Sequence, residues 1–133
     1  MRKTISEQPG KIIPNGVKPE PHEMDTFLLF ANLGKTVELI PTSHTPKDKR
    51  ADCIIDGVEW EVKSPTINKK RALERVFYAA NSQSANLIID LRRLRGDTAL
   101  AILLLEKCFK HARKARRMYI IDDSNNIPQF YKK

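Results

Sequence analysis

The stretch "ADCIIDGVEWEVKSP", residues 51–65, constrains the fold more than any other part of the chain. Asp56-Gly57 stands between two apolar-rich runs. An Asp-Gly pair in that setting signals a two-residue hairpin, because a type I′ turn needs positive φ at both central residues. With that turn, Ile55 pairs with Val58, Ile54 with Glu59, Cys53 with Trp60, and Asp52 with Glu61. Strand alternation then sets Asp52, Glu61 and Lys63 on one face and Cys53, Trp60 and Val62 on the other.

The flanking sequence offers the parts. Pro21 suits a first helical turn, and "HEMDTFLLFANLG" carries an apolar stripe of Met24, Phe27, Leu28, Phe30, Ala31 and Leu33, with Gly34 as its stop. "KTVELIP" reads as a short strand and "TSHTPKDKR" as a polar loop. "NKKRALERVFYAANSQS" predicts a second helix, with Leu73, Val76, Phe77 and Ala80 facing inward. "NLIIDL" reads as a buried strand and "DTALAILLLEKCFKHARKARR" as a long third helix with basic final turns. "MYIID" and "IPQFY" close the chain as strands around a "DSNN" turn. The order α-β-β-β-α-β-α-β-β implies an α/β fold, a central mixed β-sheet flanked by helices. Residues 1–20 hold three prolines and two glycines without periodicity. They read as a flexible leader or linker ahead of a single domain over 21–133.

Composition narrows the class. Hydrophobic residues make up 41% and charged residues 30% of 133 positions, an ordinary soluble balance. No window is apolar enough for a membrane span, and the N-terminus shows no apolar core of secretory length. Cys53 and Cys108 sit in apolar surroundings outside any metal-type spacing. They read as buried free thiols suited to a reducing compartment.

Charge is unevenly placed. Residues 1–63 carry 9 Lys/Arg against 10 Asp/Glu, whereas residues 64–133 carry 15 against 6. A basic half joined to an acidic-leaning half suits carboxylates that hold a cation beside cations that hold a polyanion, and the surplus fits nucleic-acid binding.

The hairpin carboxylates give that idea a location. Two carboxylates directly opposite on a ladder have Cβ atoms about 4.5–5.5 Å apart and repel unless something positive lies between them. A divalent cation answers the need, since Mg²⁺ is commonly held by one or two carboxylates with waters and phosphate oxygens. Lys63, two residues beyond Glu61, is placed to orient a water or to stabilise charge developing at phosphorus. A solvated, salt-bridged outer face is the competing reading of the same pattern.

Asp52 followed by Glu61-Val62-Lys63 resembles the core of the PD-(D/E)XK nuclease superfamily, a restriction-endonuclease-like arrangement whose element order is similar to that of residues 22–91. The resemblance implies that Asp52 and Glu61 bind the metal, that Lys63 assists the attacking water, and that Glu23 on the first helix joins the metal shell. Metal and catalytic candidates are therefore Glu23, Asp52, Glu61 and Lys63. Taken alone, Glu23 would be a helix-start glutamate beside the dipole. The proline that usually precedes the metal aspartate is Ala51 here.

The segments "HEMDTFLLFANLGKTVELIP", "ADCIIDGVEWEVKSP" and "NSQSANLIIDLRR" together look like the C-terminal tRNA nuclease domain of contact-dependent growth inhibition toxins, over roughly residues 21–121. That domain also occurs on mobile elements. The resemblance implies a toxin that cleaves tRNA in a recipient cytoplasm as part of a larger secreted protein, using Mg²⁺ with Mn²⁺ or Zn²⁺ as alternatives. It also implies a small neutralising immunity protein as a partner.

Further candidates are weaker. Gln83 resembles a glutamine that many superfamily members place near the site. His44 in the polar loop could touch substrate or act as an acid, and Asp90 is expected to pair with Arg92 or Arg93 rather than bind metal. Phosphate contacts are expected from Lys47, Lys49, Arg50, Lys69, Lys70, Arg71, Arg75 and Arg92, with a second stripe at Lys107, Lys110, Arg113, Lys114, Arg116 and Arg117. Aromatic residues make up only 7%, so a folded RNA or duplex read by backbone shape fits better than stacked single-stranded bases. Two alternatives remain open at this point: a DNA endonuclease of the same superfamily, and a non-catalytic nucleic-acid-binding module.

Overall fold

The computed structural model describes residues 10–41 and 51–132. Among the described residues, seven strands and three helices give an α/β fold with both parallel and antiparallel pairing, the class expected from the sequence. The chain divides into two compact units, residues 1–60 and 61–133.

In the first unit, β1 (Ile12–Ile13) pairs in parallel with β2 (Val37–Leu39), and β2 pairs antiparallel with β3 (Cys53–Ile55). Helix α1 (Pro21–Asn32) packs on β1 and β2. It begins at the expected proline, and Phe27, Phe30 and Ala31 are buried. Leu28, placed on the apolar stripe by the sequence, is instead 43% exposed, and Thr26 is buried in the stripe. Thr26 is tolerated there because its hydroxyl donates to the His22 carbonyl one turn back.

Part of the expected leader is built into this unit. Ile12 and Ile13 join the ladder, and the Gly10 amide donates to the Ala31 carbonyl. A Cβ on Gly10 would lie 1.7 Å from the Lys35 carbonyl oxygen, so only glycine lets the chain pass there. Two apolar residues are too short a run to show strand periodicity.

The hairpin forms in the register read from the sequence. Cys53 pairs with Trp60, Ile54 with Glu59 and Ile55 with Val58, and β4 spans Val58–Lys63. Asp56 and Gly57 have φ of 53° and 77°, the positive pair that the turn demands. Lys35 reaches the turn and pairs with Asp56 at 2.8 Å. The described ladder ends at Cys53, one residue short of Asp52, whose amide donates to the Trp60 carbonyl.

The second unit starts within β4. Glu61, Val62 and Lys63 pair in parallel with β5 (Asn86–Asp90), which pairs in parallel with β6 (Arg117–Ile121). Strand β7 (Gln129–Tyr131) adds antiparallel to β6. Helix α2 (Lys70–Gln83) connects β4 to β5, and α3 (Thr98–His111) connects β5 to β6, as parallel strands require. Leu87, Ile88 and Ile89 are fully buried, which explains why "NLIID" has no alternation. Leu73, Phe77 and Ala80 of α2 pack with Ala101, Leu105 and Phe109 of α3 in the core of this unit.

Helix α3 is shorter than expected. Asp97 caps its start, accepting from the amides of Ala99 and Leu100. Its end falls at His111 rather than near Arg117, because Ala112 turns extended and the Arg116 amide is taken by the Ala85 carbonyl. Arg113, Lys114 and Arg116 therefore lie on an exposed connection rather than on a helical stripe.

Candidate active site

Within the first unit, Glu23 and Asp52 line one cavity of about 150 Å³, together with Lys18 and the apolar side chains of Phe27, Leu39 and Ile40. Two expected metal ligands are thus brought together by different routes. Glu23 comes from the first turn of α1. Asp52 stands just before β3, where the ladder holds the backbone. One Glu23 oxygen is already in use: the Glu20 amide donates to Oε1 at 2.9 Å, an arrangement that closes the helix start. The capping role expected of a lone helix-start glutamate is real, and it fixes the carboxylate rather than consuming it, since a carboxylate offers several acceptor sites.

Lys18, which also lines this cavity, is not among the sequence candidates. It lay inside the expected leader and carried no motif. The signal that could have found it is Pro14-Asn15-Gly16, a turn sequence directly after the apolar pair Ile12-Ile13.

Within the second unit, Glu61 is 5% exposed on β4. Lys63 Nζ lies 3.5 Å from Glu61 Oε2, and the lysine side chain is 37% exposed. Charged groups are rarely buried this far without a partner. The alternation expectation holds for this pair, which shares a face, and the neighbouring Glu59 is exposed. Ser64 Oγ, next along the chain, is buried and has no hydrogen-bond partner among the described residues.

Asp90 and Arg92 behave as expected of a structural pair. Arg92 Nε donates to both Asp90 oxygens at 3.0 and 3.2 Å, and Nη2 donates to Oδ2 at 2.7 Å. The Arg92 backbone amide also donates to Oδ1. Arg92, expected at phosphate, is thereby held in one orientation. Gln83 ends α2 and is half-buried, while Lys69, Lys70, Arg71 and Arg75 are exposed around the start of that helix. His44, Lys47, Lys49 and Arg50 lie outside the described residues.

The expected metal ligands, Glu23 and Asp52 in the first unit and Glu61 in the second, are all carboxylates, and hard oxygen donors suit Mg²⁺ or Mn²⁺ better than a thiophilic ion. Among the described residues no three His, Cys, Asp or Glu side chains form a ready-made metal cluster. A metal here would complete its shell with water and substrate oxygens, as Mg²⁺ commonly does. Among those residues, no helix is long and apolar enough to cross a membrane.

Comparison with known proteins agrees with this fold. No curated protein matches the chain. A chain of the CdiA-CT/CdiI toxin and immunity complex from Burkholderia pseudomallei is similar in structure, with a TM-score of 0.70 at 17% identity, over 92% of this chain and 100% of that one. Residues 49–127, more than half of the sequence, match the contact-dependent growth inhibition CdiA C-terminal domain, and the chain belongs to that family of toxin domains.

Proposed function

We propose that this toxin domain is a metal-dependent endoribonuclease of the PD-(D/E)XK type that cleaves tRNA. The observation that carries the reading is the buried Glu61 carboxylate with Lys63 beside it on β4. A buried strand carboxylate with a half-exposed lysine beside it is an arrangement that a phosphodiester hydrolase uses directly, the one to hold a cation and the other to orient a water.

Asp52, Glu61 and Glu23 would hold a divalent cation, which when bound supplies Lewis-acid polarisation of the phosphate and an activated water. Lys63 positions that water and offsets the negative charge that builds on the phosphate oxygens. Glu23 keeps its orientation through the Glu20 amide. The exposed cations Lys69, Lys70, Arg71 and Arg75 draw in the polyanion, and Arg92 presents a fixed guanidinium. The family description is of a C-terminal domain, which supports delivery as part of a larger secreted toxin. The similar chain is described in a complex with an immunity protein, which supports a small neutralising partner here.

The test is incubation with total tRNA and with plasmid DNA, each with Mg²⁺, Mn²⁺ or Zn²⁺ and with EDTA. The reading expects tRNA fragments with Mg²⁺ or Mn²⁺ and none with EDTA or with Glu61→Gln. Cleavage of plasmid alone would move the substrate to DNA. Tight RNA binding without cleavage under any metal would make the domain a binding module.

A further inference from the structure

Residues 14–19, Pro-Asn-Gly-Val-Lys-Pro, join β1 to α1 and form one wall of the cavity that holds Glu23 and Asp52. The segment is tightly specified. Asn15 and Gly16 have φ of 48° and 80°, and the Val17 amide closes the turn on the Pro14 carbonyl at 2.8 Å. Asn15 Nδ2 then donates to the Leu39 carbonyl at 2.9 Å and to Glu38 Oε2 at 3.2 Å, tying the turn to β2. Pro14 and Pro19 restrict φ at both ends. Three consecutive residues, Val17, Lys18 and Pro19, face the cavity as a result.

Structural need does not account for Lys18. Its side chain is exposed, and among the described residues no ion pair holds its ammonium. A strap anchored at a turn, a side-chain amide and two prolines, with an unoccupied cation at its centre beside two carboxylates, is arranged to present that cation to something anionic.

We propose that Lys18 is a substrate-binding residue of the nuclease site, contacting a backbone phosphate of the bound nucleic acid beside Glu23 and Asp52. This rests on the nuclease reading for its substrate. The strap makes the contact specific in position, because it fixes the backbone of Lys18 at the wall of the cavity that Glu23 and Asp52 also line.

The test is equilibrium binding of tRNA in EDTA, where cleavage is absent, across a salt series, for the wild type, Lys18→Ala and Lys18→Arg. A single lost phosphate contact weakens binding roughly three- to tenfold at low salt and reduces the slope of log K against log salt by about 0.7–0.9. Lys18→Arg should restore both, and with Mg²⁺ present Lys18→Ala should raise KM more than it lowers kcat. An unchanged salt slope in Lys18→Ala overturns the proposal, whatever happens to rate. The outcomes also separate this inference from the function it rests on. A slope change seen on duplex DNA, with tRNA unbound by the wild type, keeps the role of Lys18 and discards the RNA substrate. A wild type that binds neither polymer overturns both.

Discussion

Lys63 Nζ stands 3.5 Å from Oε2 of Glu61, two positions away on the same face of β4, and the glutamate side chain is almost wholly buried while the lysine is more than a third exposed. The two residues therefore depend on each other unequally. Glu61 carries a charge that burial penalises, and Lys63 offsets it from the wetter side. Removing the lysine takes a neighbouring cation away from a buried carboxylate, which costs more than the pair itself contributes. Lys63→Ala should lower stability by about 1–2 kcal/mol in urea unfolding, whereas Glu61→Gln should be nearly neutral and the double variant should recover most of the Lys63→Ala loss. Both single variants should lose cleavage by a factor on the order of 10² or more. A double variant whose loss equals the sum of the two single losses would mean that the pair is not coupled.

The hairpin turn makes a separate, local prediction. Gly57 has a φ of 77°, yet a Cβ placed there would meet nothing within 4 Å. Gly57→Ala is thus a conformational penalty without a clash, about 1–2 kcal/mol for an alanine held in the left-handed region. The measurement is a shift in urea midpoint with an unchanged m-value and unchanged kcat. A neutral substitution would show that the turn relaxes to another type.

Asp90 tests whether a buried carboxylate in this chain is structural or catalytic. It is 3% exposed and accepts three side-chain contacts from Arg92. Asp90→Ala strands a partly exposed guanidinium, so the loss should be about 2–3 kcal/mol, below the range for a wholly buried pair. The Mg²⁺ concentration at half-maximal cleavage should stay the same, because Asp90 is not assigned to the metal. A large shift in that concentration would move Asp90 into the metal shell.

These tests divide along the line between what the sequence made legible and what it did not. The pairing of Cys53 with Trp60 and the role of Asp56-Gly57 were readable because a turn and a two-residue period are local properties. The pairing of Asp90 with Arg92 was readable for the same reason, at a separation of two residues. Helix α3 was overrun because "ARKARR" has good helix propensity throughout. Its end is decided by Ala112 and Ala115, which are buried, and by the Ala85 carbonyl, which lies far away in sequence and takes the Arg116 amide. Ile12 and Ile13 were missed because two residues show no period. Lys18 was missed with them, since only the tertiary path of the strap brings it to the cavity shared by Glu23 and Asp52.

Cys108 supplies the pH prediction. Its thiol is pushed above the ordinary value of 9.0 by burial first and by the nearby Glu74 carboxylate second, with smaller opposing contributions from the Tyr78 hydrogen bond and Lys107. The folded state therefore keeps the proton to higher pH than the unfolded chain does. Between the two pKa values the unfolded state binds fewer protons, so stability must fall as pH rises through that window. The stabilising contribution is fully present below pH 9 and is lost as pH climbs through the folded value. Tyr78, raised by burial and then by Cys108 and Glu74, adds a decline of the same sign from its ordinary value of 10.0 upward. Urea midpoints measured from pH 7 to 10.5 should decline for the wild type above pH 9, and Cys108→Ala should decline less steeply over the first part of that range. At pH 8 the folded protein should react with iodoacetamide at Cys108 far more slowly than the urea-unfolded chain does. A Cys108→Ala profile parallel to that of the wild type would show that the thiol does not contribute to the alkaline loss.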